Sequence, residues 1–346
     1  METLFCHTRN HISANRMNIQ LFRHLLLTSI LLATATFGFG QKAAGSFVNE
    51  RDVRAQMNFL AGDAMQGRGS GTLFERIAAE YIGSQFMQFG LEPAGEMGPD
   101  GKPTFVQTVT FKSRRTGVEG KTWNAMGKIT GTDKRLGSEV ILLTSHLDHL
   151  GVRDTAPGDD KIFNGADDDA SGSVAVLELA RVLGSGKRPK RTVYFVCFGS
   201  EEAGGYGANY FVNNMPFPKD KLIANLEFEM IGRPDAKVKA EELWLTGYER
   251  SNLGPELAKR GARLVQDPHP DQNFFFRSDN IQLAKAGIIA HTVSSFGLHT
   301  DYHKASDEVK TIDFSHMTRS INSMVKPVQW LINSPFKPTW NEGKKP

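Results

Sequence analysis

The feature that most constrains the fold of this chain is the alternation of apolar runs with helical patterns from residue 140 onward. Apolar runs of strand length lie at 140–144, 193–198 and 288–293. Between the first two runs, Val176, Leu179 and Leu183 recur at helical spacing. Strands that alternate with helices are typical of a parallel or mixed sheet covered by helices. The sequence therefore predicts an α/β fold.

Four short clusters of residues that can bind metal accompany this pattern. They read SHLDH (145–149), GADDDASG (165–172), SEE (200–202) and DYH (301–303), and three of them come after the apolar runs. In an open α/β sheet, functional residues gather at the carboxyl ends of the strands. Because these ends bring sequence-distant His, Asp and Glu residues together, the four clusters predict a metal site at that edge.

The first cluster suggests a ligand and its supporting carboxylate. His146 and Asp148 are two residues apart at a strand end, so their side chains are expected on one face. A carboxylate usually holds a metal-binding histidine through the other ring nitrogen. We therefore interpret His146 as a ligand and Asp148 as the residue that orients it. His149 is predicted to point the other way and to be structural.

The second and third clusters supply carboxylates. Capping of the following helix accounts for one aspartate of the triplet but not for three, and we predict that Asp168 bridges two cations. Glu201 and Glu202 follow a buried strand, where adjacent carboxylates repel unless a cation or a shared proton relieves them. One of the two glutamates is expected to bind metal and the other to transfer protons.

The remaining candidates are two glutamates on a later strand and two histidines near residue 300. Glu227 and Glu229 alternate with apolar residues and share one strand face. His303 is a candidate ligand with Asp307 as a possible partner, and His299 competes with it. A set of imidazoles and carboxylates without a thiolate fits zinc or another borderline divalent metal.

Other signals bound the class of protein and its location. The net charge of +3 provides no electrostatic footprint for nucleic acid or an anionic membrane. Residues 1–40 are interpreted as a signal peptide, because Arg16 and Arg23 precede an apolar stretch too short to span a bilayer. Met17 is a possible true start. We expect a secreted or periplasmic protein whose residues 41–346 form a single catalytic domain.

The order HLDH, GADDDASG, EE, EMIGR and YHxxxD resembles that of the co-catalytic di-zinc aminopeptidases of clan MH, the bacterial leucyl aminopeptidase-like peptidases of M28 type. The likeness extends from about Phe47, through LAGDxxxGRxxGT, to the last helix. The resemblance implies a three-layer α/β/α fold with a mixed, largely parallel central sheet. The short stretch between Phe111 and Val140 leaves no room for the protease-associated domain that family members often insert.

The resemblance also implies residue roles. One metal ion would be bound by His146, Asp168 and Glu229, and the other by Asp168, Glu202 and His303. Glu201 would be the general base, and the Asp168–Asp169 peptide bond would be cis. Glu229 departs from the better-known members, which place an aspartate there, and Glu227 is a less favoured substitute.

The expected function is a secreted or periplasmic exopeptidase that removes N-terminal residues from peptide substrates with two divalent ions, most simply Zn²⁺. A carboxypeptidase on the same scaffold and a single-zinc glutaminyl cyclase are alternatives. The complete set of five ligands argues against the cyclase and against a non-catalytic ectodomain. HExxH, CxxC, P-loop and GxSxG motifs do not occur in the sequence.

Overall fold

A mixed, nine-stranded sheet forms the middle of the computed structural model, which describes residues 47–114 and 116–346. The strands, in chain order, are β1 (Glu92–Pro93), β2 (Val106–Lys112), β3 (Glu119–Ile129), β4 (Val140–His146), β5 (Gly151–Val152), β6 (Ile162–Phe163), β7 (Thr192–Phe198), β8 (Leu222–Phe228), β9 (Leu243–Leu245), β10 (Leu264–Gln266) and β11 (Ala290–Ser294). β5 and β6 pair with each other outside the large sheet. The described residues belong to one compact unit.

The strand order across the large sheet is β1-β3-β7-β4-β8-β11-β9-β10, and β2 also pairs with β3. The central strands β7, β4, β8 and β11 are parallel, whereas β3 is antiparallel to β7 and β9 is antiparallel to β11. The register places His146 opposite Phe198, so neighbouring strands end together. The carboxyl ends of the four central strands therefore meet at one edge of the sheet.

Helices cover both faces of the sheet. They are α1 (Glu50–Leu60), α2 (Leu73–Gln88), α3 (Gly172–Gly184), α4 (Tyr206–Asn213), α5 (Leu253–Ala258), α6 (Asn280–Lys285) and α7 (Phe314–Asn333). Thr72 caps α2 through its side chain, which accepts a hydrogen bond from the backbone N–H of Glu75. Asp313 caps α7 in the same way by accepting from His316.

The core shows why the sheet is buried on both sides. Every residue of β4 and β7 is buried, as expected of strands between two helical layers. Ile141 and Leu143 pack in the cluster that contains α1, α2, α3 and α7, whereas Val140 and Leu142 pack with α4 and α6. Since successive strand residues face opposite sides, this division confirms the predicted three-layer α/β/α fold with a mixed, largely parallel sheet.

Two of the sequence predictions concern the N-terminal segment and Cys197. The predicted signal peptide, residues 1–40, lies outside the described residues. Within residues 47–114 and 116–346, no helix is both long and apolar enough to span a bilayer. Cys197 is buried in β7 and is free, as expected for a small apolar side chain.

Candidate metal centre

Two groups of histidine and carboxylate side chains lie at the carboxyl edge of the central strands, and Asp168 belongs to both. In the first group, His146 Nε2 lies 3.2 Å from Asp168 Oδ1 and 4.0 Å from Glu229 Oε1. His146 is the last residue of β4, and Glu229 directly follows β8. Neighbouring parallel strands thus bring these residues together, as the sequence predicts.

The second group forms around the other oxygen of Asp168. His303 Nε2 lies 3.1 Å from Asp168 Oδ2 and 3.1 Å from Glu202 Oε1. His149 Nδ1 lies 3.0 Å from the same Glu202 oxygen and 3.9 Å from Asp168 Oδ2. Each oxygen of Asp168 therefore faces a different histidine-containing group, which is the arrangement that a bridging carboxylate requires.

The placement of His149 corrects the prediction from strand alternation. β4 ends at His146, so the two-residue alternation no longer applies to the residues that follow. The backbone N–H of His149 instead donates to Arg68 O, and the backbone of Gly69 forms a bridge with His149. This contact turns the imidazole toward Glu202. The second histidine of HLDH is the sequence signal that could have indicated His149 as a ligand. The direction of its side chain depends on the turn of the chain after β4.

The other two aspartates of the triplet support Asp168. Asp169 accepts hydrogen bonds at 2.9 Å from the backbone N–H of Gly172 and at 3.0 Å from that of Met230. Asp167 accepts at 2.8 Å from Gly232 N–H. These bonds connect the start of α3 to the loop after β8. The Asp168–Asp169 peptide bond is cis.

Asp307 and His299 have supporting positions as well. Asp307 accepts hydrogen bonds from the backbone N–H groups of Asp167 and Asp168 at 3.0 and 3.1 Å. Asp307 thus supports the aspartate triplet. The sequence suggests it instead as a partner of His303. His299 Nε2 lies 2.9 Å from Asp167 Oδ2 and belongs to neither group. His303 is therefore the histidine of the DYH region that reaches the site.

The Asp148 carboxylate holds the backbone of Glu201 and Glu202, whereas the sequence predicts that it orients His146. Its Oδ1 lies 3.7 Å from His146 Nδ1, which is beyond hydrogen-bond distance, and that nitrogen is instead 3.2 Å from the Asp148 backbone oxygen. The Asp148 carboxylate accepts from Glu201 N–H at 3.0 Å and from Glu202 N–H at 3.3 Å. It also accepts a short hydrogen bond from Ser70 Oγ.

Glu75, which sequence reasoning did not single out, fixes the turn before Glu201. Ser200 has a φ of 55° in the left-handed region, and its backbone N–H donates to Glu75 Oε1 at 2.7 Å. The same carboxylate accepts from Thr122 Oγ1 at 2.8 Å. Burial raises the pKa of Glu75 to about 8, and the nearby Asp148 adds to the rise. The left-handed backbone of Ser200 and its hydrogen bond to Glu75 hold Glu201 and Glu202 at the strand end.

The two glutamates of β8 and its loop occupy different environments. Glu229 faces His146 in the first group. Glu227 accepts a short hydrogen bond from the backbone N–H of Asn280 and a longer one, at 3.4 Å, from Thr292 Oγ1. Glu227 therefore ties β8 to α6 and β11, and Glu229 is the one positioned toward the candidate ligands.

The titration of the site reflects its excess of buried negative charge. Burial raises the pKa of Glu201 well above its ordinary value, and the neighbouring Asp279 and Glu229 reinforce the rise against the effect of His146. Burial alone would lower the pKa of His303, but Asp168 and Glu202 raise it to about 9. The carboxylates thus favour any positive charge placed between them.

Several polar atoms of the two groups have no hydrogen-bond partner among the described residues. They are buried, and they comprise His146 Nε2, both ring nitrogens of His149, and Glu202 Oε1. Buried polar atoms are rarely left without partners in folded proteins, and a bound cation satisfies atoms of this kind. Imidazole nitrogens and carboxylate oxygens are zinc donors, so the residues present fit a zinc ion in each group.

A pocket opens onto these groups. Asp168, Glu201, Glu202, Glu229 and His303 line one part of it. The rest of the wall includes the aromatic rings of Trp244, Phe274, Phe296 and Tyr302.

Fold and site together define a metal-binding hydrolase scaffold, in which the carboxyl edge of an α/β sheet presents histidines and carboxylates to a pocket. A model of Peptidase family M28 matches residues 124–326, which is more than half of the chain. The protein belongs to this family. The family and the donor atoms of the two groups support zinc as its metal.

Individual relatives agree with this assignment. The chain is 35% identical over 183 residues to leupeptin-inactivating enzyme 1 of Streptomyces exfoliatus, covering 52% of this chain and 35% of that protein. It is 42% identical over 159 residues to an aminopeptidase of Pseudomonas aeruginosa, covering 44% of this chain and 27% of the relative. The chain thus spans about a third of the length of these curated relatives.

Solved structures show the same fold. A zinc aminopeptidase from Bacillus subtilis superposes with a TM-score of 0.63 at 15% identity, over 84% of this chain and 96% of that one. The glutaminyl cyclase of Porphyromonas gingivalis superposes with a TM-score of 0.62 at 18% identity, over 83% of this chain and all of that one (100%). Because both an aminopeptidase and a cyclase share the fold, the reaction has to be argued from the site.

Proposed function

We propose that this protein is a zinc-dependent exopeptidase that removes N-terminal residues from peptides and binds two ions. The observation that supports this proposal most directly is the position of Asp168. Its Oδ1 lies 3.2 Å from His146 Nε2 and its Oδ2 lies 3.1 Å from His303 Nε2. One carboxylate between two separate histidine groups suits a pair of ions better than a single one.

The residues divide between the two ions. His146, Asp168 and Glu229 would bind one, and Asp168, Glu202 and His303 would bind the other, with His149 as an additional donor near Glu202. When bound, two such ions polarise the scissile carbonyl and make water a stronger nucleophile at neutral pH. Glu229, which has one methylene more than the aspartate of better-known members, directly follows β8, and its Oε1 lies 4.0 Å from His146 Nε2.

Glu201 is the proposed general base. It lines the pocket beside Glu202, and its backbone is held by Asp148. A carboxyl group in this position can transfer a proton to and from a reacting group in the pocket. In this role Glu201 takes a proton from the attacking water and later delivers it to the leaving amine. The buried carboxylates of Asp148 and Glu75 keep it in position.

The proposal is tested by metal content and by the free terminus that the enzyme requires. Elemental analysis of active protein should show two zinc ions per chain, and Asp168→Ala should reduce both occupancies because each group loses the Asp168 oxygen that faces it. The wild type should release p-nitroaniline from leucine p-nitroanilide but not from its N-acetylated form. Cleavage of blocked substrates with a free C-terminus would instead indicate a carboxypeptidase.

The same measurements separate the single-zinc alternative. A glutaminyl cyclase would contain one ion and would cyclise an N-terminal glutamine without hydrolysing leucine p-nitroanilide. The second group, with His149 and His303 near Glu202, supports the two-ion proposal over this alternative. Two ions together with cyclisation and no hydrolysis would contradict the peptidase assignment.

We also propose that residues 1–40 are a signal peptide and that the mature protein is secreted or periplasmic. The support is the position of Arg16 and Arg23 before the apolar stretch at 25–35. N-terminal sequencing of protein from the native host should find a start near Gln41. A soluble cytoplasmic protein that begins at Met17 would overturn this part of the proposal.

A further inference from the structure

The pocket that adjoins the two metal groups has one arginine, the exposed Arg277, in a wall of aromatic and hydroxyl side chains. The guanidinium lies 4.9 Å from the ring centre of Phe274 and 6.0 Å from that of Tyr302. Stacking on aromatic faces holds an arginine in place without neutralising its charge. Arg277 is therefore positioned in the pocket while its charge remains available.

Arg277 has no acidic partner among the described residues. Its hydrogen bonds are long, at 3.5 Å to Gln272 Oε1 and 3.4 Å to Tyr302 Oη. Arg233, by contrast, pairs with Asp301 at 2.7 Å in the same region of the molecule. A guanidinium binds a carboxylate through paired N–H donors, and those of Arg277 are not used in this way by the protein.

The position of Arg277 relative to the metal groups is set by Tyr302. The Tyr302 ring stacks on the His303 imidazole with 3.9 Å between ring centres, and His303 lies 3.1 Å from Asp168. Arg277 is thus one aromatic ring away from the second group. A ligand in this pocket can reach the metal groups at one end and the guanidinium at the other.

We infer that Arg277 forms a carboxylate-binding subsite, so that the enzyme prefers substrates with a carboxylate near the scissile bond. This inference rests on the proposed peptidase function. Two sources have the required chemistry: the side chain of an N-terminal aspartate or glutamate, and the terminal carboxylate of a very short peptide. The aromatic rings of Trp244 and Phe296 provide apolar contacts for the rest of the ligand.

Paired substrates distinguish the two sources. Glutamate and glutamine p-nitroanilides differ only in a side-chain carboxylate, and Leu-Leu and Leu-Leu-amide differ only in the terminal one. We expect the wild type to favour the charged member of one pair. Arg277→Gln should lower kcat/KM for that member by about 10–100-fold, as expected for a hydrogen bond to a charged group. Leucine p-nitroanilide should change by less than threefold in the same variant.

Arg250→Gln is a matched control. Arg250 stacks on the neighbouring Phe275 and Phe276, at 4.5 and 5.1 Å from their ring centres, but it does not line the pocket. Arg250→Gln should leave unchanged the ratio of kcat/KM between the two members of each substrate pair. Arg277→Lys keeps the charge but loses the paired donors, and it should retain part of the preference.

The inference and the proposed function fail in different ways. If the zinc-loaded wild type cleaves leucine p-nitroanilide but shows no preference within either pair, the carboxylate subsite is wrong and the peptidase stands. If no peptide is cleaved, calorimetry on the zinc-loaded protein still tests the subsite. Glutamate or leucine should then bind more tightly than glutamine or leucinamide, and Arg277→Gln should abolish the difference; equal affinities in wild type and variant would overturn the inference.

Discussion

Asp148 accepts a hydrogen bond of 3.0 Å from the backbone N–H of Glu201. This bond joins the segment after β4 to the segment after β7 and so fixes the proposed base relative to His146, a candidate ligand. The second oxygen of Asp148 accepts from the N–H of Glu202 and from Ser70 Oγ. A single buried carboxylate therefore holds both glutamates by their backbone.

Asp148→Asn should impair the enzyme although the two side chains have nearly the same shape. An amide has one acceptor oxygen, so its NH₂ group would face the N–H of either Glu201 or Glu202. We expect a loss of about 10–100-fold in activity or metal affinity, as is found when residues that support ligands are replaced. Zinc titration and kcat/KM measured in parallel test this expectation. Unchanged values for both would show that Asp148 does not support the site.

Glu201→Gln should separate catalysis from metal binding. General-base assistance contributes about 10²–10⁴-fold, so kcat should fall by at least this factor while zinc content and fold remain those of the wild type. Glu202→Gln is the matched control, because Glu202 lies 3.1 Å from His303 Nε2 and should be needed to retain zinc. If Glu201→Gln loses zinc and Glu202→Gln keeps two ions, the assignment of the two residues is reversed.

His149→Gln should weaken the binding of one ion and leave the other unchanged. The His149 ring lies 3.0 Å from Glu202 Oε1, and neither of its nitrogens makes a hydrogen bond in the described part of the chain. We expect a decrease of about 10–100-fold in the affinity for that ion, measured by competition with a chromogenic chelator. His299→Gln, whose imidazole faces Asp167, should retain the affinity of both ions. Equal zinc affinities of the His149→Gln and His299→Gln variants would argue against a role for His149 in metal binding.

His291 should make folding stability depend on pH. It is buried in β11, where its Nε2 lies 2.7 Å from Ser251 Oγ, and burial lowers its pKa from 6.5 to about 4. The unfolded chain binds a proton near pH 6.5 while the folded protein does not, so stability falls as the pH decreases from 6.5 toward 4. The full effect is at most about 3 kcal/mol, from a shift of this size at 1.36 kcal/mol per unit.

Urea unfolding of the zinc-loaded protein at several pH values measures this effect. Between pH 7 and 4.5 the free energy of unfolding should decrease more in the wild type than in His291→Gln, since other titrating groups are common to both. If the free energy of unfolding decreases equally in the two proteins, His291 has the same pKa in the folded and unfolded states and the prediction is wrong.

The strand and helix pattern of the sequence predicted an α/β fold with metal-capable residues at one edge of the sheet, because fully apolar runs form buried strands and parallel strands end at the same edge. The three layers and the division of the ligands between two ions were implied by the resemblance to di-zinc aminopeptidases. His146, Asp168, Glu202, Glu229 and His303 each lie at or beyond the end of such a strand or in its following loop, and the structure brings them together. Their metal-binding roles stay predictions.

The tertiary structure decided what local pattern could not. His149 lies beyond the end of β4, so its direction depends on a backbone contact with Arg68, which is far away in the sequence. Asp307 supports the aspartate triplet through hydrogen bonds that span 140 residues. Arg277 lies in the pocket wall beside Phe274, which is near it in the sequence, and beside Tyr302, which comes from a separate segment. Strand and helix periodicity is a property of neighbouring residues, whereas the direction of a loop side chain is set by the distant backbone against which it packs.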